Sequence, residues 1–229
     1  MILPVRDTEQ NRYGETPMLV FIIALAVIVW GIEVLAASDT KIRHLFFGVS
    51  PALILAQDGL GALSSITALF LHSGLRHLFF NMWALWVFGR RVEDACGSWR
   101  FLAFYLVCGL TADIAFILVR ADSYSPGIGA SGAIYGVMGA YLILYPGGRI
   151  RTLVLFPFPP FAIWPRLQAF WVTIFFVGTE ILPALDVLAG TSTDHIAHWA
   201  HLGGFLGSAF ILFFLRPQAF RRYINHLPV

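Results

Sequence analysis

Three short stretches carry side chains that could do chemistry together: His77 and Asn81 in HLFFN (77–81), Ser131 in GASGAIYG (129–136) and His201 in AHWAHLGGF (197–205). A serine hydroxyl is a weak nucleophile until a neighbouring base takes its proton. An imidazole can do so near neutral pH and later return the proton to a leaving amine. The oxyanion that develops during acyl transfer then needs preorganised donors. Ser131 stands at the expected start of a helix, where backbone N–H groups lack intrahelical partners. His77 and Asn81, at i and i+4, share one helix face and can add side-chain donors. The chemistry available to such a set is hydrolysis at a carbonyl. A serine in a membrane helix is ordinarily a small packing residue, so the case turns on whether these residues meet.

What must position them follows from composition. The 229 residues are 58% hydrophobic and 12% charged, with a mean hydropathy of +0.76, against roughly 25% charged residues in soluble domains. The chain cannot cover a water-facing surface and reads as an integral membrane protein. A net charge of +2 and the lack of a basic run with interleaved aromatics exclude a nucleic-acid partner. Cys96 and Cys108 show neither CxxC nor metal spacing and read as small apolar residues.

A bilayer core of roughly 30 Å takes about 20 apolar residues to cross as a helix. Six spans meet that demand, at 18–36, about 77–94, 101–119, 129–146, 168–185 and 195–215. The first ends near AAS (36–38), which mimics a signal-peptide cleavage site, but its apolar stretch is too long for a signal core. With six spans, eleven of the Lys and Arg residues fall on the side of the tails and four on the other, which puts both termini in the cytoplasm. The expected fold is all-α, a single six-helix core over 18–215 with cytoplasmic tails at 1–17 and 216–229. The outside connection at about 37–76 holds apolar patches and is expected to be partly folded at the membrane surface.

Depth links the polar residues. Ser131 lies fifteen residues above the inner end of the fourth span at Pro146, and His201 lies fifteen above Arg216 at the end of the sixth. At 1.5 Å per residue both stand about 23 Å up, a little below the outer face. Polar groups inside a span are costly and face a cavity or a partner. Gly132, Gly136 and Gly139 follow one face of the fourth helix, and His201, Gly204 and Ser208 one face of the sixth. Small residues at this spacing let two backbones approach closely, which brings the hydroxyl and the imidazole within reach.

These stretches resemble the rhomboid family of intramembrane serine proteases, on HLFFN (77–81), GASG (129–132) with Tyr135, and AHWAHLGGF (197–205). MILPVRD at the N-terminus and GRRVEDACGSWRF (89–101) support the match, which runs over nearly the whole chain. The resemblance implies that Ser131 is the nucleophile and His201 the general base of a dyad without an acid. His77, Asn81 and the Ser131 amide would form the oxyanion hole, and Tyr135 would pack on His201, with Gly129, Gly132 and Gly204 in support. Glu93 and Gly97 match positions that look structural. The first outside loop departs from many bacterial members: it reads LSSITALFLH (63–72) where they carry a Trp-Arg pair, although His72 matches.

Other readings compete. Asp113 and Glu180, inside the third and fifth spans, could line the proton path of a transporter, but no pair of interrupted helices in two related halves accompanies them. His195, His198 and His201 could suggest a metal enzyme, yet steps of three rotate each side chain about 60° around the helix, so the three are not expected to converge. An inactive member that binds membrane clients would ordinarily have lost the serine or the histidine. The expected function is hydrolysis of peptide bonds in or near transmembrane segments of other proteins. No metal or organic cofactor is expected. The expected surroundings are the lipid bilayer of a cell membrane, in a bacterium by the compactness of the chain.

Overall fold

The computed structural model describes residues 2–36, 40–156, 161–191 and 196–229. Two residues of the cleavage-like AAS (37 and 38) and His195 lie outside them. The chain begins with strand β1 (Ile2–Asp7) and helix α1 (Pro17–Leu35). The connection at 37–76 holds α2 (Thr40–Phe47), α3 (Pro51–Leu55) and α4 (Ser64–Thr67), with 3-10 turns at Gly61–Leu63 and Ala68–Phe70. Then come α5 (Leu75–Cys96), α6 (Ser98–Val119) and α7 (Ser131–Leu144). Strands β2 (Arg149–Phe156), β3 (Phe161–Ile163) and β4 (Arg166–Gln168) lead to α8 (Ala169–Leu188). Helix α9 (His198–Gly207) continues as a 3-10 segment (Ser208–Phe214) and is followed by α10 (Pro217–Ile224).

Each of the six expected spans holds a helix. Three of these helices, α1, α6 and α8, are long and apolar enough on their own to cross a bilayer, and α9 with its 3-10 extension and α10 forms a fourth candidate bent by 104°. Apolar side chains such as Phe21, Ile28, Leu110, Leu118, Trp171 and Leu182 point outward from these helices. Continuous apolar surface of this kind is a membrane-facing belt. Helix α5 carries Arg90, Arg91, Glu93 and Asp94 near its end. Helix α7 has only 14 residues, about 21 Å at 1.5 Å each.

The short α7 is the centre of the bundle. It packs against α5, α6, α8 and α9, and every residue from Gly132 to Tyr141 is buried. Its glycines make that enclosure possible. A Cβ at Gly132 would stand 2.5 Å from the Ala112 methyl, and one at Gly204 would run into the Gly132 carbonyl oxygen. Backbone therefore touches backbone between α7 and α9, as the small-residue faces predict.

The all-α expectation needs one correction. A four-stranded sheet joins the N-terminus to the connection between α7 and α8. Strand β2 pairs antiparallel with β1 (Leu3 opposite Leu153), with β3 (Leu155 opposite Ala162) and with β4 (Ile150 opposite Leu167). Ile150 and Thr152 turn inward while Arg149 and Arg151 turn out, the period-two alternation of a half-buried strand. A few alternating residues beside a long apolar span are a weak signal, and the partner β1 is far away in sequence.

Two adjacent carboxylates tie the N-terminal segment to the turn between α5 and α6. Fully buried Glu93 accepts the Met18 and Leu19 amides at 2.9 and 2.6 Å, which satisfies orphan donors in the first turn of α1. Asp94 accepts the amides of Arg12, Tyr13 and Gly14. Gly97 makes the turn with a φ of +83° under the Arg216 guanidinium. The structural reading of Glu93 and Gly97 matches these contacts.

Candidate active site

Ser131 is the first residue of α7 and His201 lies in the first turn of α9. The close contact of the two helices sets the Ser131 Oγ 2.7 Å from His201 Nε2. The hydrogen-bond ladder of α7 starts with the Ile134 amide donating to the Ala130 carbonyl, so the Ser131, Gly132 and Ala133 amides precede it. The turn before Ser131 depends on Gly129, whose φ is +111°. A Cβ there would meet the His77 ring at 2.6 Å and the Asn81 amide nitrogen at 3.5 Å. Glycine thus serves twice at this position, for conformation and for space.

His77 and Asn81 lie on one face of α5 against this turn. His77 Nδ1 faces the Ser73 hydroxyl at 3.1 Å, and its ring meets that of His72 edge-on at 5.0 Å. His72, outside the spans, has its pKa lowered to about 4 by burial and by the nearby His77 ring, so it is uncharged at neutral pH. Asn81 is buried, and its side-chain nitrogen has no hydrogen-bond partner among the described residues. Asn81 and Ser131 line one cavity of about 300 Å³, whose largely apolar wall includes Tyr135, Met138, Phe176 and the β1 residues Leu3 and Pro4. A second, water-sized cavity of about 30 Å³ behind Ser131 is lined by Asp113, Gly127 and Gly129. This gives Asp113 a cavity-facing position.

The imidazole of His201 is held on its other sides too. Tyr135 stacks on it with ring centroids 4.6 Å apart and planes 8° from parallel. Its Nδ1 lies 2.8 Å from Glu180 Oε2, so a carboxylate stands where the resemblance implies no acid. His198 Nδ1 lies 2.6 Å from the same oxygen, and the Tyr135 hydroxyl donates to Oε1 at 2.8 Å.

The expectation that the histidines do not converge is therefore corrected for two of them. His198 and His201 both reach Glu180, because residues three apart on a helix are surface neighbours despite the 60° offset. His195 lies outside the described residues. Glu180, His198 and His201 offer ligand atoms within 4.8 Å of one another. Ligands 2.0–2.1 Å from a tetrahedral zinc stand roughly 3.3 Å apart, whereas the nitrogens here lie 2.6 and 2.8 Å from the carboxylate oxygen. Those are hydrogen-bond separations. An acid inside an apolar span was the one sequence signal pointing to Glu180, and its partners could not be named from the fifth span alone.

The comparisons with known proteins agree with one another. A family model described as Rhomboid domain matches residues 61–218, which takes in all four site residues. Rhomboid protease GluP of Bacillus subtilis is 31% identical over 213 residues, covering 90% of this chain and 36% of that protein. Putative rhomboid protease YdcA of the same organism is 30% identical over 139 residues, covering 56% of this chain and 62% of that protein. Rhomboid protein 1, mitochondrial, of Saccharomyces cerevisiae is 34% identical over 146 residues, covering 62% of this chain and 38% of that protein. The chain thus spans between about a third and less than two thirds of the length of these relatives. On the matched domain, and on apolar helices that cross a membrane several times, the chain belongs to the rhomboid family.

Proposed function

We propose that the chain is an intramembrane serine endopeptidase that cleaves peptide bonds in or near transmembrane segments of other proteins. The observation that carries this reading is the 2.7 Å contact between the Ser131 hydroxyl and His201 Nε2, beside a largely apolar cavity. In the proposed reaction Ser131 Oγ attacks the scissile carbonyl carbon and its proton passes to Nε2. The tetrahedral oxyanion takes hydrogen bonds from the Ser131 amide and from His77 and Asn81. Asn81 suits that role because its buried nitrogen has no other partner among the described residues. The C–N bond then breaks, and the leaving amine takes the proton from His201. Water, deprotonated by the same nitrogen, hydrolyses the acyl ester and restores the serine. Stacked Tyr135 keeps the imidazole plane fixed.

The same reading assigns the six helices at the expected spans to a core over 18–215, with both short tails in the cytoplasm. It needs no metal or organic cofactor. Its partners are transmembrane proteins and the bilayer.

The test is cleavage of a model transmembrane substrate by wild type, Ser131→Ala and His201→Ala in liposomes. Activity in wild type and loss in both variants is expected. Equal cleavage by all three overturns the reading. Labelling by a fluorophosphonate that disappears in Ser131→Ala is the companion measurement.

A further inference from the structure

We propose that Glu180 is a positioning residue for His201, so that the site works as a serine–histidine–carboxylate triad. The inference rests on the serine endopeptidase reading and adds a third group to it. A neutral imidazole carries its proton on either nitrogen, and only the form protonated at Nδ1 presents a lone pair to Ser131. An ionised carboxylate accepts hydrogen bonds and cannot donate them. Glu180 Oε2, 2.8 Å from His201 Nδ1, selects that form.

The same contact acts after proton transfer. When Nε2 takes the serine proton, His201 becomes a cation with its Nδ1–H aimed at a negative oxygen, and the proton stays on Nδ1 throughout. Little water competes, since the side chains of His201 and Glu180 are 11% and 12% exposed. Charge attraction is much stronger there than in bulk water.

The carboxylate is itself held in place. Tyr135 donates to Oε1, and His198 Nδ1 fixes the second lone-pair direction of Oε2. Three helices thus supply one rigid acceptor: α7 through Tyr135, α8 through Glu180 and α9 through His198. Tyr135 does two jobs, since the ring that stacks on His201 carries the hydroxyl that anchors Glu180. A residue serving only to pack α8 against α9 would need no such aim at the free nitrogen of the base.

Two measurements on the full chain test this. In the first, Glu180→Gln keeps the shape and an acceptor but loses the charge. It is expected to lower kcat at least about tenfold, with KM within about twofold, by the logic of an amide replacing the acid of a serine–histidine–acid site. Partial recovery of Glu180→Ala by added formate is expected alongside. A folded Glu180→Gln with wild-type kcat overturns the inference. If that happens while Ser131→Ala and His201→Ala are inactive, the endopeptidase reading survives; equal activity of all variants removes both. The second measurement needs no variant that must stay active: nitrogen NMR of histidine-labelled wild type at neutral pH, with His201→Ala to assign the signal. The proton on Nδ1 is expected; a proton on Nε2 overturns the inference.

Discussion

At the scale of single residues, the proposed reaction depends on a buried group that has no partner among the described residues. Asn81 is the plainest case: burial without a partner costs free energy, about 1–3 kcal/mol for a neutral donor, unless function returns it. Asn81→Ala removes that donor from the proposed oxyanion hole. Its kcat is expected to fall about 10²–10³-fold, the cost of one lost oxyanion donor, with the thermal midpoint unchanged or slightly raised. Turnover assays beside a detergent melt measure both, and unchanged turnover would remove Asn81 from the hole. His72, held uncharged by burial beside His77, adds no positive charge to the same corner.

At the scale of elements, the proposed chemistry depends on how closely α7 and α9 approach. A methyl at Gly204 meets the Gly132 carbonyl oxygen, and backbone cannot swing aside as a side chain can. Gly204→Ala gains about 1 kcal/mol of helix propensity but must push two helices apart, at a cost of about 1–3 kcal/mol for overpacking. The expected result is a small change in thermal midpoint beside a fall in kcat of about 10²-fold, since misplacing reacting groups by 1 Å costs that much. A Gly204→Ala protein with wild-type kcat would show that the contact does not set the Ser131–His201 distance. The carboxylates of α5 act at the same scale without touching the site, by capping α1 and tethering the segment before it.

At the scale of the whole molecule, the arrangement is a membrane bundle that keeps Glu180, His198 and His201 together inside. Burial of α7 lets a helix of 14 residues hold a serine inside the bundle, because neighbouring helices and the 37–76 connection cover its start. The eleven-to-four split of Lys and Arg predicts both termini on the cytoplasmic side. A C-terminal tag is therefore expected to be digested by protease added to inside-out vesicles and protected in right-side-out ones. The opposite pattern would reverse the orientation.

Much of this molecule is written along the chain. Apolar runs locate the helices, since a bilayer demands helix-length stretches of apolar residues. Helical rise converts residue counts into depth, so Ser131 and His201 can be matched from two separate spans. Glycine spacing marks the faces that pack closely. Three features were decided only by the tertiary structure. The sheet pairs β1 with β2 across more than a hundred residues, and the hydrogen bonds of a strand do not name their partner. Glu180 meets His198, His201 and Tyr135 because α7, α8 and α9 are rotated and seated against one another at particular angles. The cavity beside Ser131 is bounded by four elements, including β1, whose place no local pattern announces. Local periodicity records which way a side chain leaves its own helix; which other side chains it finds depends on packing among helices distant in sequence.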